Sequence, residues 1–121
     1  MLTLNYILLA VADPAASAQF YTNLLGREPV ENSPSFVLYV LPNGIKLGLW
    51  IAGEIDPAPR PAGGVEITFS QTSEAEVRAT HADWQAKATI IQQPQSMDFG
   101  FTFVAQDPDG HRLRVFSPAP R

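Results

Sequence analysis

The chain has 121 residues, of which 45% are hydrophobic and 17% charged, with a formal net charge of −4. That composition suits one globular domain with its own core and excludes a disordered chain. The acidic balance, the scattered basic residues and the absence of cysteine exclude a surface that tracks a phosphate backbone, a disulfide framework and any thiolate site, and no apolar run approaches the roughly 18 residues of a membrane span.

Residues 4–12 are rich in β-branched and aliphatic side chains and predict a strand buried on both faces. No basic leader precedes them, so a strand is expected rather than a signal peptide, and the cytoplasm is the expected compartment. Asp13-Pro14 supplies an N-cap acceptor followed by proline at the first helical position. Ala16, Phe20 and Leu24 recur at helical spacing with Tyr21 and Leu25 beside them, and Gly26 stands where a terminating glycine belongs. Residues 30–32 predict a short strand and Ser33-Pro34-Ser35 a connector. Residues 36–41 and 45–51 predict two strands joined by the Leu41-Pro-Asn-Gly44 turn.

Residues 52–64 carry Pro57, Pro59 and Pro61 with Gly53, Gly63 and Gly64, and read as a link. Residues 65–70 begin a second round with a strand. A helix follows, opened by the capping box Ser73-Glu-Ala-Glu76, with Val77, Thr80, His81, Trp84 and Ala88 facing inward. Residues 89–92 predict a short strand and 94–99 a loop, with 97–100 as a flexible rim. Two strands around Phe101 and Arg112 then flank the Asp107-Pro-Asp-Gly110 turn, and 117–121 predict a mobile tail.

The two turns carry a sign of duplication. Gly44 and Gly110, Leu47 and Leu113, and Trp50 and Phe116 all share a 66-residue offset. The fold class that follows is α+β, with two βαβββ modules over 1–51 and 65–117 and residues 52–64 between them. Strand alternation assigns faces. Ile45, Leu47, Leu49 and Ile51 form an aliphatic face, opposite Lys46, Gly48 and Trp50. Val65, Ile67 and Phe69 oppose Glu66, Thr68 and Ser70, while His111, Leu113 and Val115 oppose Arg112, Arg114 and Phe116. In the first strand both faces are apolar, so alternation does not decide. His81 reads as a half-exposed helix residue and His111 as a partner of its turn; Asp107 and Asp109 are accounted for by turn chemistry.

Taken together, Leu9-Ala-Val-Ala-Asp-Pro14, Phe20-Tyr21, Leu25-Gly26, Phe103-Val104 and Asp107-Pro-Asp-Gly-His-Arg-Leu113 resemble the glyoxalase / bleomycin-resistance / extradiol-dioxygenase group, the vicinal oxygen chelate superfamily. Arg27-Glu-Pro-Val30, Leu49-Trp50, Phe99-Gly100, Thr102-Phe103 and Asp107-Pro-Asp-Gly-His111 are most similar to its phenazine-type antibiotic-resistance members. The resemblance covers nearly the whole chain. It implies a mixed sheet curled around a cavity and a homodimer with shared or swapped modules.

The resemblance also implies Tyr6 on the cavity side and four metal-ligand positions, which fall on Tyr6, Gly48, Glu66 (Val65 if the register slips by one) and Arg114. Only Glu66 among them suits a divalent cation, because glycine offers no donor and arginine stays cationic. No metal, no cofactor and no catalytic residue are therefore expected. The expected site binds a planar aromatic small molecule, a phenazine-like antibiotic or toxin that the protein sequesters. Trp50 would stack on it, Tyr6, Phe36 and Phe116 would supply apolar wall, and Glu66 and Arg114 a charged pair. Two other readings stand beside this one. The first is a lyase, isomerase or dioxygenase using a divalent metal, or Glu66 as a base whose proton affinity burial raises. The second is a structural dimer with a filled core. Neither nucleic acid nor membrane is an expected partner.

Overall fold

Each of two units in the chain, divided between Pro61 and Ala62, holds one α-helix and one four-stranded mixed sheet; a computed structural model describes residues 2–120. Among the described residues no helix is long and apolar enough to cross a membrane.

The first unit runs β1 (Tyr6–Val11), α1 (Pro14–Leu25), β2 (Glu31–Asn32), β3 (Phe36–Val40) and β4 (Lys46–Ile51), with sheet order β1-β4-β3-β2. β1 and β4 are parallel, and the other pairs antiparallel. Asp13 caps α1 as expected, its Oδ1 accepting from the amides of Ala15 at 3.1 Å and Ala16 at 3.4 Å. Gly26 ends the helix at φ +68°, a value that favours glycine, and its amide closes on the Thr22 carbonyl at 3.0 Å. The buried stripe is Pro14, Ser17, Ala18, Tyr21 and Leu24, which keeps the predicted Tyr21 and Leu24 but not Ala16. Ala16 is exposed and Phe20 only half-buried, with its ring set edge-on to Tyr21 at 4.9 Å. Steps of four overshoot a helical turn by about 40° each, so a stripe that stays on the sheet must mix steps of three and four. Tyr39, fully buried in β3, ties strand to helix: its hydroxyl donates to the Ala18 carbonyl at 2.9 Å and shares a 2.9 Å hydrogen bond with Thr22 Oγ1. Burial pushes its phenol above the ordinary value.

The second unit runs β5 (Glu66–Ser70), α2 (Glu74–Trp84), β6 (Thr89–Met97), β7 (Gly100–Gln106) and β8 (Arg112–Pro118), in sheet order β5-β8-β7-β6. Ser73 Oγ accepts from the Glu76 amide at 3.1 Å, while the Glu76 carboxylate reaches one residue past the cap to the Thr72 amide at 2.9 Å and to the Thr72 hydroxyl. Val77 and Trp84 are buried, and the indole stands edge-on to Phe69 and Phe103 at 5.5 and 5.6 Å. The His81 ring lies against Phe103 at 5.2 Å, and its Nε2 is 3.1 Å from Gln93 Oε1. Ala88 falls beyond the helix end.

Four expectations for this unit are corrected. β6 continues through Pro94 to Met97 instead of stopping at Gln92, with register shifts between Ile90 and Gln92 and between Gln92 and Gln95. It is an edge strand, where a proline and bulges cost few ladder bonds. The loop predicted over 94–99 shrinks to the two turn residues Asp98 and Phe99, between the paired Met97 and Gly100. Gly100 at φ +151° is no hinge: a Cβ there would come 1.9 Å from the Ser117 carbonyl oxygen. The predicted mobile tail begins too early, since Ser117 is buried in β8 opposite Phe101 and the Ala119 amide donates to the Phe99 carbonyl at 2.8 Å. Arg121 lies outside the described residues.

The duplication is visible in the hydrogen bonds. Gly44 donates to Leu41 at 2.9 Å and Leu41 to Ile45 at 2.8 Å; Gly110 donates to Asp107 at 3.1 Å and Asp107 to His111 at 3.0 Å. Both glycines sit at positive φ, +89° and +92°. Tyr6 pairs with Lys46 as Glu66 pairs with Arg112, so the first strands are offset by 60 residues and the last by 66. The nine-residue β6 against the two-residue β2 accounts for the surplus. The two expected βαβββ modules are thus two four-stranded mixed sheets, one per unit.

Candidate functional site

In the first unit, Leu9, Val11, Val37, Tyr39, Leu47 and Leu49 fill the face under α1. A sheet packed on one side ordinarily shows polar residues on the other. Here the register places Tyr6, Leu8, Phe36, Leu38 and Trp50 together on that other face. Tyr6 and Leu8 are 44% and 47% exposed, far more than core residues would be. Trp50 stands between Phe36 on one neighbouring strand and the small Ala10 on the other. Gly48 shapes the surface, because a Cβ there would lie 3.0 Å from Leu8 Cδ1 and 3.1 Å from the Phe36 ring. Its missing side chain lets both neighbours lie across the strand.

The equivalent face of the second unit is charged. Arg114 Nε donates to Glu66 Oε1 at 2.7 Å and Nη2 to Oε2 at 3.1 Å, a two-pronged contact. Arg112 adds Nε at 3.0 Å and Nη2 at 2.7 Å, both to Oε2. Arg114 Nη1 reaches Thr102 Oγ1 at 3.1 Å and Gln92 Oε1 at 3.3 Å, and the Thr102 hydroxyl itself donates to the Val115 carbonyl at 2.8 Å. Phe99 rises from the hairpin turn beside this group, with its ring 5.7 Å from Phe116 and 5.6 Å from the Arg114 guanidinium. The Arg114 hydrogen bond holds the Glu66 carboxyl below its ordinary range against the opposing effect of burial, with Arg112 reinforcing it. A carboxylate paired this way gives up proton affinity, the opposite of what a Glu66 base strengthened by burial requires.

The sheet register bears on which residue stands at the third implied ligand position, Glu66 or Val65. Glu66 opens β5 and pairs with Arg112, while Val65 is exposed outside the strand. The donor set does not suit a divalent cation. Tyr6 offers a phenol, Gly48 nothing, Arg114 a positive charge, and both Glu66 oxygens already accept from guanidinium groups.

Of the sequence-selected residues, Tyr6, Phe36 and Trp50 share one face in the first unit, and Glu66, Arg114 and Phe116 share one face in the second. Leu8, Gln92, Phe99, Thr102 and Arg112 were not selected. Alternation already pairs Arg112 with Arg114 and could have added it. Phe99 had no such signal, because the position of a turn residue depends on the length of the hairpin beneath it.

Two βαβββ units, each with one sheet face under a helix and the other carrying aromatic or charged side chains, define a paired-module protein of the glyoxalase-like class. The chain belongs to the Glyoxalase/Bleomycin resistance protein/Dioxygenase superfamily, which matches residues 3–115. It is 29% identical over 118 residues to the phenazine antibiotic resistance protein EhpR of Enterobacter agglomerans, covering 94% of this chain and 91% of that one. Among solved structures it is similar to protein ATC0852 from Agrobacterium tumefaciens, with 46% identity, TM-score 0.88 and coverage of 99% and 100% of the two chains. A glyoxalase-related enzyme from Fulvimarina pelagi shares the fold at TM-score 0.85 and 23% identity, over 97% of this chain and 88% of that one.

Proposed function

We propose that this protein binds and sequesters a planar aromatic compound, phenazine-like in shape, and so protects the cell that makes it. The observation that carries this is the open apolar face around Trp50, where Phe36, Leu8 and Tyr6 supply the surrounding wall. An indole held on a strand loses little freedom when a flat ring stacks on it, and such stacking contributes about 0.5–1.5 kcal/mol beyond area burial. Similarity to a phenazine antibiotic resistance protein supports the same ligand shape. A metal-dependent lyase or dioxygenase gains nothing from the donors at the four implied positions, and Glu66 is held as a paired carboxylate. A cytoplasmic setting and a homodimer are part of the proposal.

Fluorescence titration tests it. Trp84 is the second indole and is buried, so a Trp84→Phe background isolates Trp50. Phenazine should quench the remaining emission, and Trp50→Ala, followed by calorimetry, should weaken binding about tenfold or more, or about 1.4 kcal/mol. A panel of planar aromatics that changes neither emission nor melting temperature would defeat the proposal.

A further inference from the structure

We propose that the aromatic ligand of the Trp50 face carries an acid group, and that Lys46 and Tyr6 of the same unit receive it. This rests on the sequestration proposal and deepens it. Lys46, Gly48 and Trp50 alternate along β4 and so share the open face, and the register sets Tyr6 of β1 directly beside Lys46. Lys46 is half-buried and Tyr6 is 44% exposed. Neither the Lys46 ammonium nor the Tyr6 hydroxyl has a hydrogen-bond or ion-pair partner among the described residues. Partial burial strips hydration from an ammonium, and an anion seated against it restores what is lost. The acid that the register puts on this face is Glu31, opposite Leu38. It stands two strands across and two residues along from Lys46, roughly 12 Å between backbones at the usual sheet spacings, so the cation is left open.

The cation and the indole mark the two ends of one strand. Lys46 and Trp50 are four residues apart, about 13 Å at the usual strand rise. Between them Gly48 contributes no side chain, and Leu8 and the Phe36 ring close over it to 3.0 and 3.1 Å from where a Cβ would stand. The floor from indole to ammonium is therefore low and apolar. A flat system of two or three rings stacked on Trp50 runs along this floor, and an acid group at its far end meets a charged donor and a neutral one together. Turned across the sheet toward Glu31, the same acid would meet a like charge, so the face favours one orientation.

Calorimetry on the full chain tests the assignment with two probes, neutral phenazine and phenazine-2-carboxylate. The acid of the second extends along the ring axis and is ionised at neutral pH. The native protein should bind the carboxylate on the order of tenfold more tightly than the neutral ring. Lys46→Gln should bring that ratio close to one, and Lys46→Arg should retain most of it. Lys46→Glu should push it below one, an inversion that a lysine serving only to pack its stem on the sheet would not produce. Tyr6→Phe keeps the ring, removes the hydroxyl and should lower the ratio part of the way. Equal affinity for the two probes in the native protein, or a ratio that survives Lys46→Gln or Tyr6→Phe, would overturn the acid-group assignment while leaving sequestration intact. If neither probe binds, both proposals fall.

Discussion

Glu66 is the residue on which the charged face of the second unit turns, and its ionisation makes that dependence measurable. Its folded value lies below the ordinary carboxyl value of 4.5. A depressed folded value means that the ion pairs stabilise the native state fully above the unfolded value and lose that effect as pH falls through the folded one. Glu66→Gln should therefore melt below the native protein at pH 7, and the gap should narrow as the pH is taken under about 4.5. Thermal melts between pH 7 and pH 3 follow this directly, and a gap constant across the range would mean that Glu66 carries no paired charge. Gly48 is the counterpart in the first unit, at the register position that Arg114 fills in the second. One position holds the most space-demanding cation and the other holds no side chain at all.

At the scale of elements, α2 is held to its sheet by Trp84, edge-on to Phe69 and Phe103. Trp84→Ala removes the largest side chain between helix and strands and should cost about 3–5 kcal/mol in chemical denaturation; a loss under 1 kcal/mol would show that the helix is anchored elsewhere. The sequence was explicit where one residue type has one local use. Asp13-Pro14, Gly26, Ser73 and the two glycine turns each mark an element end by chemistry that works within a few residues. It was less explicit where the outcome depends on distant partners. The α1 stripe turned on which side chains the strands present, and β6 passed through Pro94 because it occupies an edge. Alternation correctly grouped Trp50 with Gly48 and Arg114 with Phe116, since a two-residue period leaves no freedom once the strand exists. The Glu66–Arg112 contact needed the parallel pairing of β5 with β8, which no local pattern contains.

For the whole molecule, β1 and β5 each lie at the end of their sheet, and Leu4 and Val65 just before them are exposed. Open strand edges flanked by aliphatic residues are templates for pairing with another chain. The homodimer proposed above should therefore show twice the mass of one chain in light scattering at micromolar concentration. Leu4→Asp combined with Val65→Asp should shift it toward the single-chain mass, since both side chains are exposed and their replacement leaves each core intact. A native protein that scatters as one chain under these conditions would remove the dimer from the proposal.

The β6–β7 hairpin places an immutable position beside a permissive one. Gly100 is pressed against the Ser117 carbonyl, so any larger residue there would push β8 aside. Phe99 is held by its backbone carbonyl, which accepts from Ala119, and by the edge contacts of its ring with Phe116 and Arg114, yet the residue remains 44% exposed. Exchanging that ring leaves the ladder intact. The side chain at the tip can thus change by a single substitution without the fold having to be rescued each time.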